Sequence, residues 1–272
     1  MRWTLDTINW DAFDASKVDR STLEAVKAAS LVEANAPDYV SYLCNVFQDN
    51  AQIQADIRQW GREEAQHGAA LARWAALADP AFDFDGALER FRALQGIDTG
   101  AVVSVRGSRA GEMIARCVVE SGTSSFYTAI KDATQEPCLH QITEYLAGDE
   151  FAHYGLFYRS FKAYQGDLPS AWRRVAIALG RISEADDDEL SGAFYCANFG
   201  GDADVPYERK MFADAYQKRA LGFYGRAHVD RLVSMVAKAA GFRPHGLPVR
   251  AVGALAWRYL TYRQWRLARS AL

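Results

Sequence analysis

Apolar residues recur at spacings of three and four along almost the whole chain, and few stretches show the strict alternation of a half-buried strand, so the pattern predicts an all-α fold. Leu23, Val26, Leu31, Tyr39, Tyr42, Leu43 and Phe47 predict a first helix from Ser21 to about Gln48, opened by a Ser21/Glu24 capping box. A second is predicted from about Asn50 to Ala78, ahead of Asp79-Pro80. Between Pro80 and Gly107, Asp-Gly, Gly-Ile-Asp and Thr-Gly steps mark a crossover connection with room for one short helix. Third and fourth helices are predicted over about 109–134 and 137–164. After Gly166-Asp-Leu-Pro169, two to three further helices follow, over about 169–199, 207–240 and 247–271. The expected architecture is one all-helical domain over residues 1–272, with a four-helix core at about 21–164 and a helical extension at about 169–271.

Half of the 272 residues are apolar and 24% are charged, which suits a packed globular chain and argues against disorder. The net charge of -3 argues against nucleic-acid binding. The N-terminus shows no basic stretch followed by an apolar run, and no window approaches the roughly 18 apolar residues of a membrane span. A cytoplasmic location is therefore expected. Cys44, Cys117, Cys138 and Cys196 form no Cys-x-x-Cys pair, which excludes a thiolate zinc or iron–sulfur site and a built-in rubredoxin-type relay. Electrons for any redox chemistry must come from another protein.

Two Glu-x-x-His motifs stand out, Glu64-Ala-Gln-His67 and Glu150-Phe-Ala-His153, and a spacing of three puts carboxylate and imidazole on one helical face. Glu33 precedes Glu64 by 31 residues and Glu120 precedes Glu150 by 30, so one helix-pair unit occurs twice. Such an interval is one long helix, a turn and a return to the same height. Glu33, Glu64, His67, Glu120, Glu150 and His153 are thereby predicted to meet at one level as metal ligands, the arrangement of a ferritin-like four-helix bundle with a di-metal centre. Four buried carboxylates need compensating charge, which two divalent ions supply. Oxygen-rich coordination with two imidazoles points to two iron ions, with manganese a competitor in one site. Glu63 and Asp149, each immediately before a ligand Glu, are candidates to hold the histidine of the opposite motif, with a solvated place on the helix surface as the competing reading.

These segments resemble the soluble acyl-carrier-protein desaturases over about residues 30 to 160. Glu33-Ala-Asn-Ala-Pro37-Asp-Tyr39 is similar to that family's first ligand helix. Trp60-Gly-Arg-Glu63-Glu64-Ala-Gln-His67-Gly68 is similar to its Trp-x-x-Glu-Glu-x-x-His-Gly segment, and Leu146-Ala-Gly-Asp149-Glu150-Phe-Ala-His153 to its Ala-x-Asp-Glu-x-x-His segment. Glu120-Ser-Gly-Thr123 is similar to the third ligand helix, where the resemblance gives Thr123 a part in oxygen activation and Trp60 a place beside the centre. A hydroxyl bonded back to its own helix is the competing role for Thr123.

The resemblance implies an oxygen-dependent oxidoreductase acting on an unactivated C–H bond of an acyl chain, by desaturation or hydroxylation. It also implies an external donor of the ferredoxin/reductase type, an acyl carrier protein or acyl thioester as partner, and a homodimer. Aldehyde-deformylating and N-oxygenating di-iron enzymes share the ligands, and ferritin- or rubrerythrin-like iron oxidation and peroxide scavenging form a second class. Phe126, Tyr127, Phe151, Phe157 and Tyr158 are candidate channel-lining residues, with core packing as the alternative. After Asp230 there is no acidic residue but eight basic ones: Arg231, Lys238, Arg243, Arg250, Arg258, Arg263, Arg266 and Arg269. For this basic C-terminal helix three roles are open: docking an acidic carrier, peripheral contact with an anionic membrane, or a solvated face.

Overall fold

The computed structural model describes residues 2–96, 98–184, 189–202 and 204–269, and among them there is helix and no strand. Residues 2–19 form three short 3-10 turns that run across the bundle before the first long helix. Helix α1 (Arg20–Ala34) is capped by Asp19, whose side chain accepts from the Thr22 amide at 2.9 Å. The expected capping box is therefore displaced, because Glu24 is engaged by Arg20 and Arg219 instead. Helix α2 (Ala36–Val46) follows after a break at Asn35. The single helix expected over this stretch is two, because Pro37 has no N–H for the carbonyl four residues back and disfavours helical geometry just before it.

Helix α3 (Ala51–Ala78) is 28 residues long, about 42 Å, capped by Asn50. Helix α4 (Phe84–Gln95) occupies the crossover; Asp83 caps its start and Gly96, at φ 55°, ends it in the left-handed conformation that glycine adopts most readily. Helices α5 (Arg109–Ala133) and α6 (Pro137–Phe161) match the expected third and fourth helices. Glu136 caps α6 by accepting from the amides of Cys138 and Leu139, and also takes the Trp74 indole N–H at 2.7 Å. One carboxylate thus joins the start of α6 to α3.

The C-terminal region holds α7 (Ala171–Glu184), α8 (Leu190–Asn198), α9 (Arg209–Ala220), α10 (Arg226–Ala239) and α11 (Leu247–Ala268), more than the two to three helices expected. The run expected over 207–240 is broken by the 3-10 turn Leu221–Phe223 and by extended Gly225, where glycines weaken helical continuity. The break between α7 and α8 includes residues 185–188, outside the described residues.

The long helices form two pairs, α1/α2 with α3 and α5 with α6, which meet through α3 and α6. Between them lie two apolar clusters at different heights. One collects Leu31, Leu71, Trp74, Tyr127, Leu139 and Phe194. The other collects Leu43, Ile57, Trp60, Met113 and Phe157. Along each long helix the two clusters flank the same middle turn, which carries the glutamates and histidines of the sequence motifs. Gly68 permits the closest approach there, since a Cβ on it would sit 2.8 Å from the backbone nitrogen of Ala34.

Candidate metal centre

Glu33 on α1, Glu64 and His67 on α3, Glu120 on α5, and Glu150 and His153 on α6 all converge on that level, and all are buried. They form two sets in which every donor atom lies within 4.8 Å of the others: Glu33, Glu64, His67 and Glu150 in one, and Glu64, Glu120, Glu150 and His153 in the other. Glu64 and Glu150 belong to both. The buried Glu/His clusters can hold metal ions.

The inner atoms of the cluster support that fit. His67 Nδ1 lies 3.1 Å from Glu150 Oε1, and His153 Nδ1 lies 3.0 Å from Glu64 Oε1. Neither approach has the geometry of a hydrogen bond, and these four atoms and Glu33 Oε2 are buried without hydrogen-bond partners. Five lone donors facing one interior space would be costly to a folded protein unless something positive binds them.

The outer nitrogens of the two imidazoles, by contrast, are engaged. His153 Nε2 lies 2.9 Å from Glu63 Oε2, and His67 Nε2 lies 3.3 Å from Asp149 Oδ2. Each carboxylate comes from the opposite motif, as the sequence indicated, and this leaves Nδ1 of each ring turned inward. The Glu63 carboxyl is held down at about 2, mainly by His153.

Without metal the charges are distributed unevenly. Burial, then the charges of Glu150 and Glu33, push the Glu64 carboxyl well above the usual carboxylate range. Burial and Glu150 push Glu120 up to about 8. Burial disfavours charge on Glu150 as well, but the two histidines beside it hold it well below its ordinary value. Burial likewise opposes protonation of His67 and His153, and the surrounding carboxylates override it and raise both imidazoles. In this state protons take the place of cations, so metal binding must displace them.

Thr123 sits one turn beyond Glu120. Its hydroxyl donates to Glu150 Oε2 at 2.7 Å, with the carbonyls of Val119 and Glu120 at 3.3 and 3.4 Å. The shortest partner is therefore a shared carboxylate rather than the helix backbone. Trp60 packs edge-on against Phe157 and lies under the Arg116 guanidinium, 4.6 Å from its ring.

Three partners of the cluster were not anticipated from the sequence. Arg116 is buried and pairs with Glu120 at 2.9 Å, four residues on; that spacing was a readable signal. Glu120 and Glu64 hold its guanidinium charged against burial. Tyr127 donates to Glu33 Oε1, and burial with Glu33 raises its phenol well above the ordinary value. Trp3 donates its indole N–H to Asp149 at 2.7 Å and stacks parallel to His67, 6.0 Å between centroids. That contact spans 146 residues and leaves no local trace in the sequence.

The five aromatics expected along one channel do not share one surface. Phe126 and Tyr127 fill the first apolar cluster, Phe157 fills the second with Tyr158 packed against it, and Phe151 is 53% exposed. A separate cavity of about 400 Å³ is lined by Tyr39, Tyr42 and Leu43 together with charged Asp98, Arg106, Glu112, Arg116, Arg181 and Glu189, and so includes the residue that pairs with Glu120. Among the described residues no helix is long and apolar enough to cross a membrane. Compared with family models and with curated proteins, the chain matches none.

Proposed function

We propose that this chain is an oxygen-activating di-iron oxidoreductase of ferritin-like architecture, acting on an unactivated C–H bond of an apolar, acyl-type substrate. The observation that carries the reading is the pair of buried donor sets sharing Glu64 and Glu150, with the inner imidazole nitrogens turned toward the carboxylates and making no hydrogen bond. Oxygen-rich sites completed by imidazole suit iron, with manganese able to compete in one position. Bound there, two ferrous ions supply the electrons and Lewis acidity that dioxygen reduction requires.

The chain's own residues supply the rest. Glu63 and Asp149 orient the imidazoles. The Thr123 hydroxyl holds a proton at Glu150 Oε2, beside the shared carboxylates. Arg116 offsets the charge of Glu120, and the flanking apolar clusters keep water from the middle turn. The cavity behind Arg116, which mixes Tyr39, Tyr42 and Leu43 with charged side chains, is the approach for the substrate, presented as an acyl thioester or on an acyl carrier protein. A separate ferredoxin/reductase-type donor returns electrons.

The test is anaerobic iron loading, exposure to dioxygen, and mass spectrometry of added acyl thioesters. Loss of two hydrogens indicates desaturation and gain of one oxygen indicates hydroxylation. Failure to take up iron overturns the reading, and so does peroxide turnover with no change in any organic substrate.

A further inference from the structure

Helix α11 is held to the body by a thin seam. Of its 22 residues only Val249, Gly253 and Leu267 are buried, with Gln264 Nε2 donating to the Leu221 carbonyl at 2.6 Å. Gly253 sits close to α10, because a Cβ there would meet Asp230 Oδ1 at 2.7 Å.

The outward face carries a second row. Val252, Leu255, Tyr259 and Tyr262 follow at steps of three, four and three, which places them on one stripe. Leu255 is 63% exposed, Tyr259 61% and the neighbouring Trp265 51%. Isolated exposed apolar residues are ordinary, but a contiguous stripe with aromatic members on one helix is a contact surface.

Its charges are of one sign. The helix contains Arg250, Arg258, Arg263 and Arg266 and ends at Arg269, with no acidic residue along its length. Among the described residues, Arg250, Arg258 and Arg266 meet no carboxylate, Arg263 is engaged by Asp214 at 3.8 Å and by Gln217, and Arg269 stacks on Trp265 at 3.9 Å. Arg263 and Arg266 also line a cleft of about 510 Å³ with Arg209 and Lys210, where Asp214 is the lone acid. Ser183, next to the exposed Ile182 of α7, forms part of the same cleft.

We propose that α11 lies flat on an anionic phospholipid bilayer, with the Val252–Tyr262 stripe in the interfacial layer and the arginines against lipid phosphates. The stripe is aliphatic and aromatic and carries flanking arginines, and the helix is too polar to span. A second copy of this chain is a poor occupant, because antiparallel α11 helices would bring two all-basic rows together with no acid on either. An acidic carrier protein answers the charge but leaves the aliphatic and aromatic stripe in water. This inference is independent of the metal chemistry.

The experiment is cosedimentation of the full chain with vesicles of phosphatidylcholine alone and of phosphatidylcholine with phosphatidylglycerol. Binding is expected to the anionic vesicles only, falling as salt is raised. The double variants Arg258→Glu/Arg266→Glu and Leu255→Ser/Tyr259→Ser should each weaken binding more than tenfold, with circular dichroism and melting temperature unchanged. Brominated lipid should quench the part of the fluorescence that disappears in Trp265→Phe, a readout on the otherwise unaltered chain. No binding to anionic vesicles, equal binding to neutral ones, or no quenching of Trp265 overturns the proposal. So does a dimer that Leu255→Ser dissociates, or capture of an acidic acyl carrier protein without vesicle binding.

Discussion

The two helix pairs carry the same motif but surround it with different chemistry. In the α1–α3 pair, Glu33 is met by the neutral hydroxyl of Tyr127, and His67, which is fully buried, is backed by Asp149 and shielded by Trp3. In the α5–α6 pair, Glu120 is met by the charged guanidinium of Arg116, and His153 is backed by Glu63, which accepts in turn from Gln59 at 2.8 Å. The first set has a neutral phenol beside its unshared glutamate. The second has an extra positive charge and a cavity behind it. Repetition of ligands therefore sets the positions of two donor sets but not their electrostatics, and an ion on the arginine side is expected to be held more weakly.

The largest expected effect separates shared from unshared ligands. Glu64→Ala or Glu150→Ala should abolish loading of both positions, whereas Glu33→Ala or Glu120→Ala should leave one, read as metal per chain by elemental analysis. Equal losses from all four would dissolve the distinction between the sets.

Arg116→Leu should act in opposite directions on the two states. Without metal it takes the hydrogen-bond partner from a buried Glu120 carboxyl already pushed up to about 8, costing about 1–3 kcal/mol in urea unfolding. With metal it removes a competing cation, so the second ion should bind more tightly in an anaerobic titration. Tyr127→Phe is the matching change on the first side. It removes one buried hydrogen bond, worth about 1 kcal/mol, and should leave the second ion's affinity unchanged.

The smallest effect serves as a control at the end of the α1–α3 pair. Lys27 holds the Asp79 carboxyl below its ordinary value, so this pair stabilises the fold above the usual carboxylate range. The contribution is lost as pH falls through the depressed value. Asp79 is partly exposed, so the gain is under about 1 kcal/mol. The difference in unfolding free energy between wild type and Asp79→Asn should shrink between pH 7 and about pH 3, with metal content at pH 7 unaltered.

Much of this arrangement is legible along the chain, and the reason is local. Helical spacing fixes which side chains share a face, so Glu64 with His67, Glu150 with His153, and the two intervals of about thirty residues give the level of the cluster without tertiary information. Glu63 and Asp149 are readable as neighbours of those ligands. Arg116 announces itself at i and i+4 with Glu120, yet so do many solvated pairs on helix surfaces, and only its burial separates it from them. Tyr127 and Trp3 reach the cluster across helices and cannot be assigned from spacing. The break at Pro37 and the glycine-rich turn at 221–225 were visible as residues, but a continuous apolar pattern ran through both and concealed the stops.

The Trp3 contact has a consequence for the order in which the molecule is assembled. The segment bearing Trp3 is synthesised 146 residues before the helix that bears Asp149. At ordinary translation speeds that is an interval of about 7–30 s. Throughout it the indole can stack on His67 but its N–H has no acceptor, so this wall of the cluster is completed only once all four ligand-bearing helices exist.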